Sequence, residues 1–286
     1  MQDMDTQERE RYRQRIRNKK RRRIISLSVM VVIVILLIIG IVRLIGWITT
    51  PKYIESADIG PLPPAEGDPI VITLPPKYYD YSAPVPLADE VGDGYFSSTL
   101  MIGDARVMGL TMFGHITTAD VFGSEGTSVD SLRNDTFTVG EAERTLTEQL
   151  MTKPYEAIYI EIGLNELGWP NTAAFMESYA ALVDTVKNNA PTAAIYLQGI
   201  IPVTASKSGN PSHLTNEKIA EINREIMRLA QDKKVYYLDI AEGMSNGTGV
   251  LLSGYAASNG LSLSSEGYAK WVEYIKTHVV DKEIYS

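Results

Sequence analysis

The chain has 286 residues, 44% of them hydrophobic, with no cysteine and a formal net charge of −8. That length and apolar content suffice for one sizeable core with further segments outside it. The absence of cysteine excludes a disulfide framework, a thiolate nucleophile and a zinc–thiolate centre.

Residues 1–23, MQDMDTQERERYRQRIRNKKRRR, carry ten Lys/Arg against four Asp/Glu, a net of +6, with no apolar period that would bury a face. They are expected to form a solvated basic tail. Ile24 to Val42 then run for nineteen residues without a charge. At about 1.5 Å of rise each, a helix of that length spans a hydrocarbon core of roughly 30 Å.

A single transmembrane helix is therefore expected over 24–48, from Ile24 to Ile48. Arg43 and Trp47 suit its far interface, and the basic tail is placed in the cytoplasm. No small-residue cleavage site follows, so the span reads as an uncleaved plasma-membrane anchor, with the rest of the chain outside the cell. A cysteine-free exported domain of this kind fits a Gram-positive source. Of the 27 Lys/Arg, the ten in the tail and Arg43 lie at or before the span, leaving 16 against 31 Asp/Glu beyond it. A net of −15 repels phosphate backbones, so no nucleic-acid partner is expected.

Nine of the fourteen prolines lie between Pro51 and Pro86. Residues 49–94 are accordingly expected to be a Pro-rich, semi-extended stalk, on the order of 100 Å long if fully extended at about 3.1 Å per residue. Its PIVITLP piece offers an alternative, an edge strand packed on the body.

From residue 95 to 286, short apolar runs alternate with segments of helical period, the pattern of a parallel sheet covered on both faces. Strands are predicted at Ser98–Ile102, Ala157–Ile162, Ala193–Ile201 and Val235–Ile240, each apolar enough to be buried on both sides. Three helical stripes are predicted to face the core: Phe175, Tyr179, Leu182, Val183 and Val186; Ile219, Ile222, Ile226 and Leu229; and Tyr268, Trp271, Val272, Ile275 and Val279. In such folds ligands bind beyond the carboxyl ends of the strands. Those ends carry Gly103-Asp104-Ala105-Arg106, then SEGTSVDSL with Gly126, then IGLNELG with Gly163, Asn165 and Glu166, and finally ASNGLSLSSEGYAKW before the last helix.

These four blocks, in this order across residues 96–282, resemble the SGNH (GDSL) hydrolases, a family of esterases and acetyl-hydrolases. The resemblance implies a three-layer α/β/α sandwich with a parallel, flavodoxin-like sheet. In the family the first block reads Gly-Asp-Ser and the last Asp-x-x-His. A serine attacks the ester carbonyl, histidine takes its proton, aspartate orients the histidine, and backbone N–H groups with the third block's asparagine stabilise the oxyanion.

By that resemblance the nucleophile position is Ala105, the aspartate position Asn259 and the histidine position Ser262, so all three reactive side chains are replaced. The surrounding frame of Gly103, Asp104, Arg106, Gly126, Gly163 and Asn165 is kept. The expectation is a domain without that catalysis, acting by binding a cell-wall glycan or an acylated polymer, with no cofactor and no metal. The alternative is an active carbohydrate esterase or acyl hydrolase with a displaced nucleophile and base, for instance Ser128 or Ser262 with His213.

Of the other histidines, His115 follows the first helix and His278 ends the last, both away from the pocket. Glu166, Trp169, His213 and Tyr255 are the candidate ligand contacts, with Trp169 and Tyr255 able to stack on a sugar ring. Asp104, Glu166 and Asp120 would offer oxygens to a hard cation if they met. Otherwise Asp104 orders its own turn and Glu166 caps a helix or faces solvent.

Overall fold

The computed structural model describes residues 79–113, 115–245 and 247–281, all within a unit covering Thr73–Ser286. The basic tail, the span expected at 24–48, the PIVITLP piece and most of the expected stalk lie outside the described residues. Among the described residues, no helix is long and apolar enough to cross a membrane.

Five parallel strands form the central sheet: β1 (Thr99–Gly103), β2 (Asp120–Phe122), β5 (Ala157–Glu161), β6 (Ala194–Gln198) and β7 (Tyr236–Leu238), in the order β2-β1-β5-β6-β7. Every residue of β1, β5 and β6 is buried, which is why these strands read as unbroken apolar runs. Alternate residues serve opposite faces. Leu100, Ile102, Ile158, Ile160 and Leu197 enter the core beneath α4 (Thr172–Asn189) and α5 (Asn216–Lys233). Met101, Tyr159, Tyr196 and Leu238 enter the core beneath α1 (Ala105–Met112), α6 (Ile240–Ser245) and α7 (Ser265–Thr277). The result is a three-layer α/β/α sandwich. The predicted stripes of α4 and α5 are buried as expected. On the last stripe Val279 departs: α7 ends at Thr277, and Val280 is the residue buried beyond it.

Two features escape the sequence pattern. β2 has only three residues, too few to show a period, and it pairs with β1 at Leu100↔Asp120 through Ile102↔Phe122. β3 (Phe137–Val139) and β4 (Ala142–Arg144) form a separate antiparallel hairpin turned at Gly140, flanked by the short helices α2 (Val129–Asn134) and α3 (Leu146–Leu150). The four expected strands are all present, with ends shifted by at most three residues: Gly103 and Glu161 close β1 and β5, while β6 and β7 are shorter at both ends than the apolar runs containing them.

Side chains punctuate the helices. Asn171, Thr215 and Ser264 accept N–H bonds at the starts of α4, α5 and α7, at 2.9, 3.1 and 3.1 Å. The described end of the Pro-rich stretch lies on the sandwich. Val85 is buried and donates its N–H to the Tyr237 carbonyl on the outer edge of β7 at 2.8 Å. Ala88 and Val91 donate to Thr277 and Lys276, and Lys276 meets Asp93 at 2.6 Å. A sheet edge that would otherwise offer unpaired carbonyls is thereby covered.

Trp271 joins sheet to helix: it is fully buried, and its indole N–H donates to Gln198 Oε1 at 2.8 Å. Trp271→Ala empties the centre of the α1–α7 layer and strips Gln198 of that partner. It is expected to lower unfolding stability by about 3–5 kcal/mol in chemical denaturation of the protein.

Candidate active-site frame

Two glycines with positive φ stand at the strand ends. Gly123, just after β2, has φ +141, and a Cβ there would run into the carbonyl oxygen of Gly103. Gly163, just after β5, has φ +131, and a Cβ there would press on Ile200 and Phe175. Only glycine fits both the backbone conformation and the space.

Asp104 caps α1, its Oδ1 accepting the Arg106 N–H at 2.9 Å. This is the turn-ordering role, and it leaves Ala105 as the first residue of α1, exposed to solvent. Arg106 turns inward instead. It is buried, with Nη1 donating to the Ile201 carbonyl at 2.6 Å and Nη2 to the Leu261 carbonyl at 2.8 Å. One guanidinium therefore ties three places to one point: the nucleophile turn, the chain beyond β6, and the last family block.

The second and third blocks are joined likewise. Asn165 Nδ2 donates to the Thr127 carbonyl at 2.8 Å, beside Gly126 in its left-handed turn at φ +73. That bond occupies one of the two amide hydrogens of Asn165. Glu166 is buried and accepts the Val129 N–H at 2.6 Å on Oε1, capping α2.

In the last block Asn259 and Ser262 satisfy each other. Asn259 Oδ1 accepts the N–H groups of Leu261 and Ser262 at 2.9 and 2.8 Å, and its Nδ2 donates to Ser262 Oγ at 3.0 Å. A neutral amide and a hydroxyl thus fill the places that the sequence resemblance assigns to a carboxylate and an imidazole, and neither pair member is a base near neutral pH.

The three carboxylates considered for a hard cation do not come together. Asp120 stands at the start of β2, where Tyr155 and Lys153 engage its carboxylate at 2.6 and 3.1 Å. No group of three or more His, Asp or Glu among the described residues could hold a metal ion. The carboxylate that does join Asp104 and Glu166 is Glu161, paired in register with Gly103 and fully buried. Neither of its carboxyl oxygens has a hydrogen-bond partner.

Burial pushes the Glu161 carboxyl up to about 8, and Asp104 adds to the shift while Arg106 and, in smaller measure, the nearby Ile201 N–H, which does not reach hydrogen-bonding geometry, oppose it. Burial also raises Glu166 to about 7 against the pull of its bond from Val129, and raises Asp104 against the pull of Arg106. The sequence does hold a signal for Glu161, a single charge within the apolar run AIYIEIG. The carbonyls that receive Arg106 carry none.

His213 is exposed, with its ring against Gly168, and makes no hydrogen bond among the described residues. Ser128 Oγ caps α2 and bonds Ser131, Ser262 Oγ accepts from Asn259, and no described histidine hydrogen-bonds either serine. His115 Nε2 lies 3.3 Å from Ser265 Oγ on the surface at the head of α7, and His278 stacks on Tyr274. Trp169 packs partly into the core edge-on to Phe175, and Tyr255 is half-buried beside the start of α7.

The model of the GDSL-like lipase/acylhydrolase family matches residues 114–270, more than half of the chain. The chain belongs to that family. The match begins after the Gly103–Arg106 turn and includes Asn259 and Ser262. No curated protein matches this family member.

Among solved structures, it is similar to a Streptococcus pneumonia protein described as a platelet activating factor, at 22% identity and a TM-score of 0.50, covering 66% of this chain and 84% of that one. It is also similar to a GDSL-like lipase from Bacteroides thetaiotaomicron, at 17% identity and a TM-score of 0.47 over 65% and 86% of the two chains. An acetyl-xylooligosaccharide esterase from Geobacillus Stearmophilus matches at 13% identity and a TM-score of 0.45 over 64% and 94%. At 22% identity, the first likeness is one of fold.

Arg106→Met keeps the length of the side chain but leaves the carbonyls of Ile201 and Leu261 without this donor. A loss of about 2–4 kcal/mol in denaturant unfolding is expected, with Arg106→Lys recovering only part of it because one ammonium does not reproduce the guanidinium fork.

Proposed function

We propose that this GDSL-family domain is catalytically silent and acts by binding, held by the 24–48 span at the outer face of the plasma membrane with residues 1–23 in the cytoplasm. One observation carries the reading: the residue exposed at the head of α1, where the family places its nucleophile, is an alanine, and its methyl group has no electron pair to attack with. The closed Asn259–Ser262 pair supports it, because no group stands ready there to receive a proton. The glycine turns and the N–H groups around them remain able to hold a carbonyl or sugar oxygen. The family resemblance then points to an acylated envelope glycan as ligand, with no cofactor required.

The test uses the full chain with nitrophenyl acetate and an O-acetylated cell-wall glycan, beside the triple variant Ala105→Ser, Asn259→Asp, Ser262→His. The natural protein is expected to retain the glycan and to hydrolyse neither ester above the buffer rate. The triple variant is expected to gain at least about 10²-fold over the natural protein, the usual worth of a positioned general base. Turnover by the natural protein would overturn the reading, as would failure to bind any envelope glycan fraction for the ligand part of it.

A further inference from the structure

Three buried carboxylates and one buried guanidinium lie in and beneath the exposed turn. Asp104 spends its carboxylate on the Arg106 N–H, and Glu166 spends one oxygen on Val129. Arg106 spends both terminal nitrogens on carbonyls, so it forms no ion pair with any of the three. Glu161, at the end of β5, is left with two bare oxygens, and Glu166 Oε2 and Arg106 Nε are also buried without partners. The groups facing Glu161 are Asp104 and Arg106 from the start of α1, Glu166 from the turn after β5, Tyr179 from α4 and Tyr268 from α7.

We propose that Glu161 is a positioning residue for the binding frame: as an uncharged acid it lets the Gly103–Arg106 turn and the Leu261 loop close over a dry layer, and its ionisation loosens them. A fully ionised layer would hold three negative charges against one positive in a space without water, which is costly unless solvent enters. Water can reach Glu161 only if the turn it underlies, or the loop that Arg106 ties down, moves away. The proposal goes beyond the binding reading and holds whether or not the site is silent.

The sign follows from the two states. The closed frame holds the proton up to about pH 8, whereas an exposed glutamate has its ordinary value of 4.5. The open form therefore binds fewer protons between those limits, so closure is fully favoured below 4.5 and is lost progressively as pH rises toward 8. With one proton linked, the opening equilibrium shifts about tenfold per pH unit within that window.

Hydrogen exchange of the full chain, corrected for the intrinsic pH dependence of amide exchange, tests this on peptides covering 99–112 and 256–264. Protection of both is expected to fall about tenfold per pH unit below pH 8 in the natural protein, and to depend much less on pH in Glu161→Gln, which keeps the shape of the acid without its proton. A flat natural profile, or an equal slope in Glu161→Gln, would overturn the proposal. Should that variant fail to fold, the natural protein decides by infrared spectroscopy. The carbonyl stretch of a dry protonated acid is expected at neutral pH and lost with protection on alkalinisation, and its absence at neutral pH would overturn the proposal.

Discussion

Everything at the carboxyl end of this sheet hangs on where Arg106 spends its charge. An arginine buried one residue beyond the exposed Ala105 would ordinarily be expected to pair with a carboxylate, and three lie near it. Its hydrogen bonds run instead to the carbonyls of Ile201 and Leu261. Those two carbonyls belong to segments 95 and 155 residues away in sequence, so this one side chain replaces a set of local contacts that loops of this kind lack. The frame is thus held from beneath rather than by groups that would contact a ligand.

That choice has an electrostatic consequence. With the guanidinium committed to carbonyls, the neighbouring carboxylates receive its field but not its hydrogen bonds, and burial raises Asp104, Glu161 and Glu166 alike. Burial thus favours the uncharged acid over the carboxylate throughout the layer. Raised carboxyls beside an exposed turn can serve an acid–base role. Here Asp104 and Glu166 are engaged with backbone N–H groups that build the frame, which assigns them to scaffolding.

Much of this was legible in the sequence because burial on both faces writes itself as unbroken apolar runs, as in AIYIEI and AAIYLQGII, and because helix stripes such as Phe175–Val186 repeat at helical spacing. The family blocks were legible because glycines at forced turns leave few substitutes. β2 and the β3–β4 hairpin were not, since three-residue strands carry no period. The missed member of the buried layer, Glu161, was hidden within a strand that otherwise reads as core, and Asp120 was drawn toward the layer by its place in the chain although Tyr155 and Lys153 hold it elsewhere. Bonds to backbone carbonyls, the kind that Arg106 makes, leave no trace in residue identity at all.

The proposed binding role requires that no side chain of this protein act as an activated nucleophile, the exposed His115–Ser265 pair included. Incubating the full chain with a fluorophosphonate, which is attacked by activated serines with loss of fluoride, and then weighing the intact protein tests it most directly. An unchanged mass is the expected result. A single stoichiometric adduct, mapped to Ser265, Ser262 or any other serine, would contradict the claim and show that a nucleophile has been re-established away from Ala105.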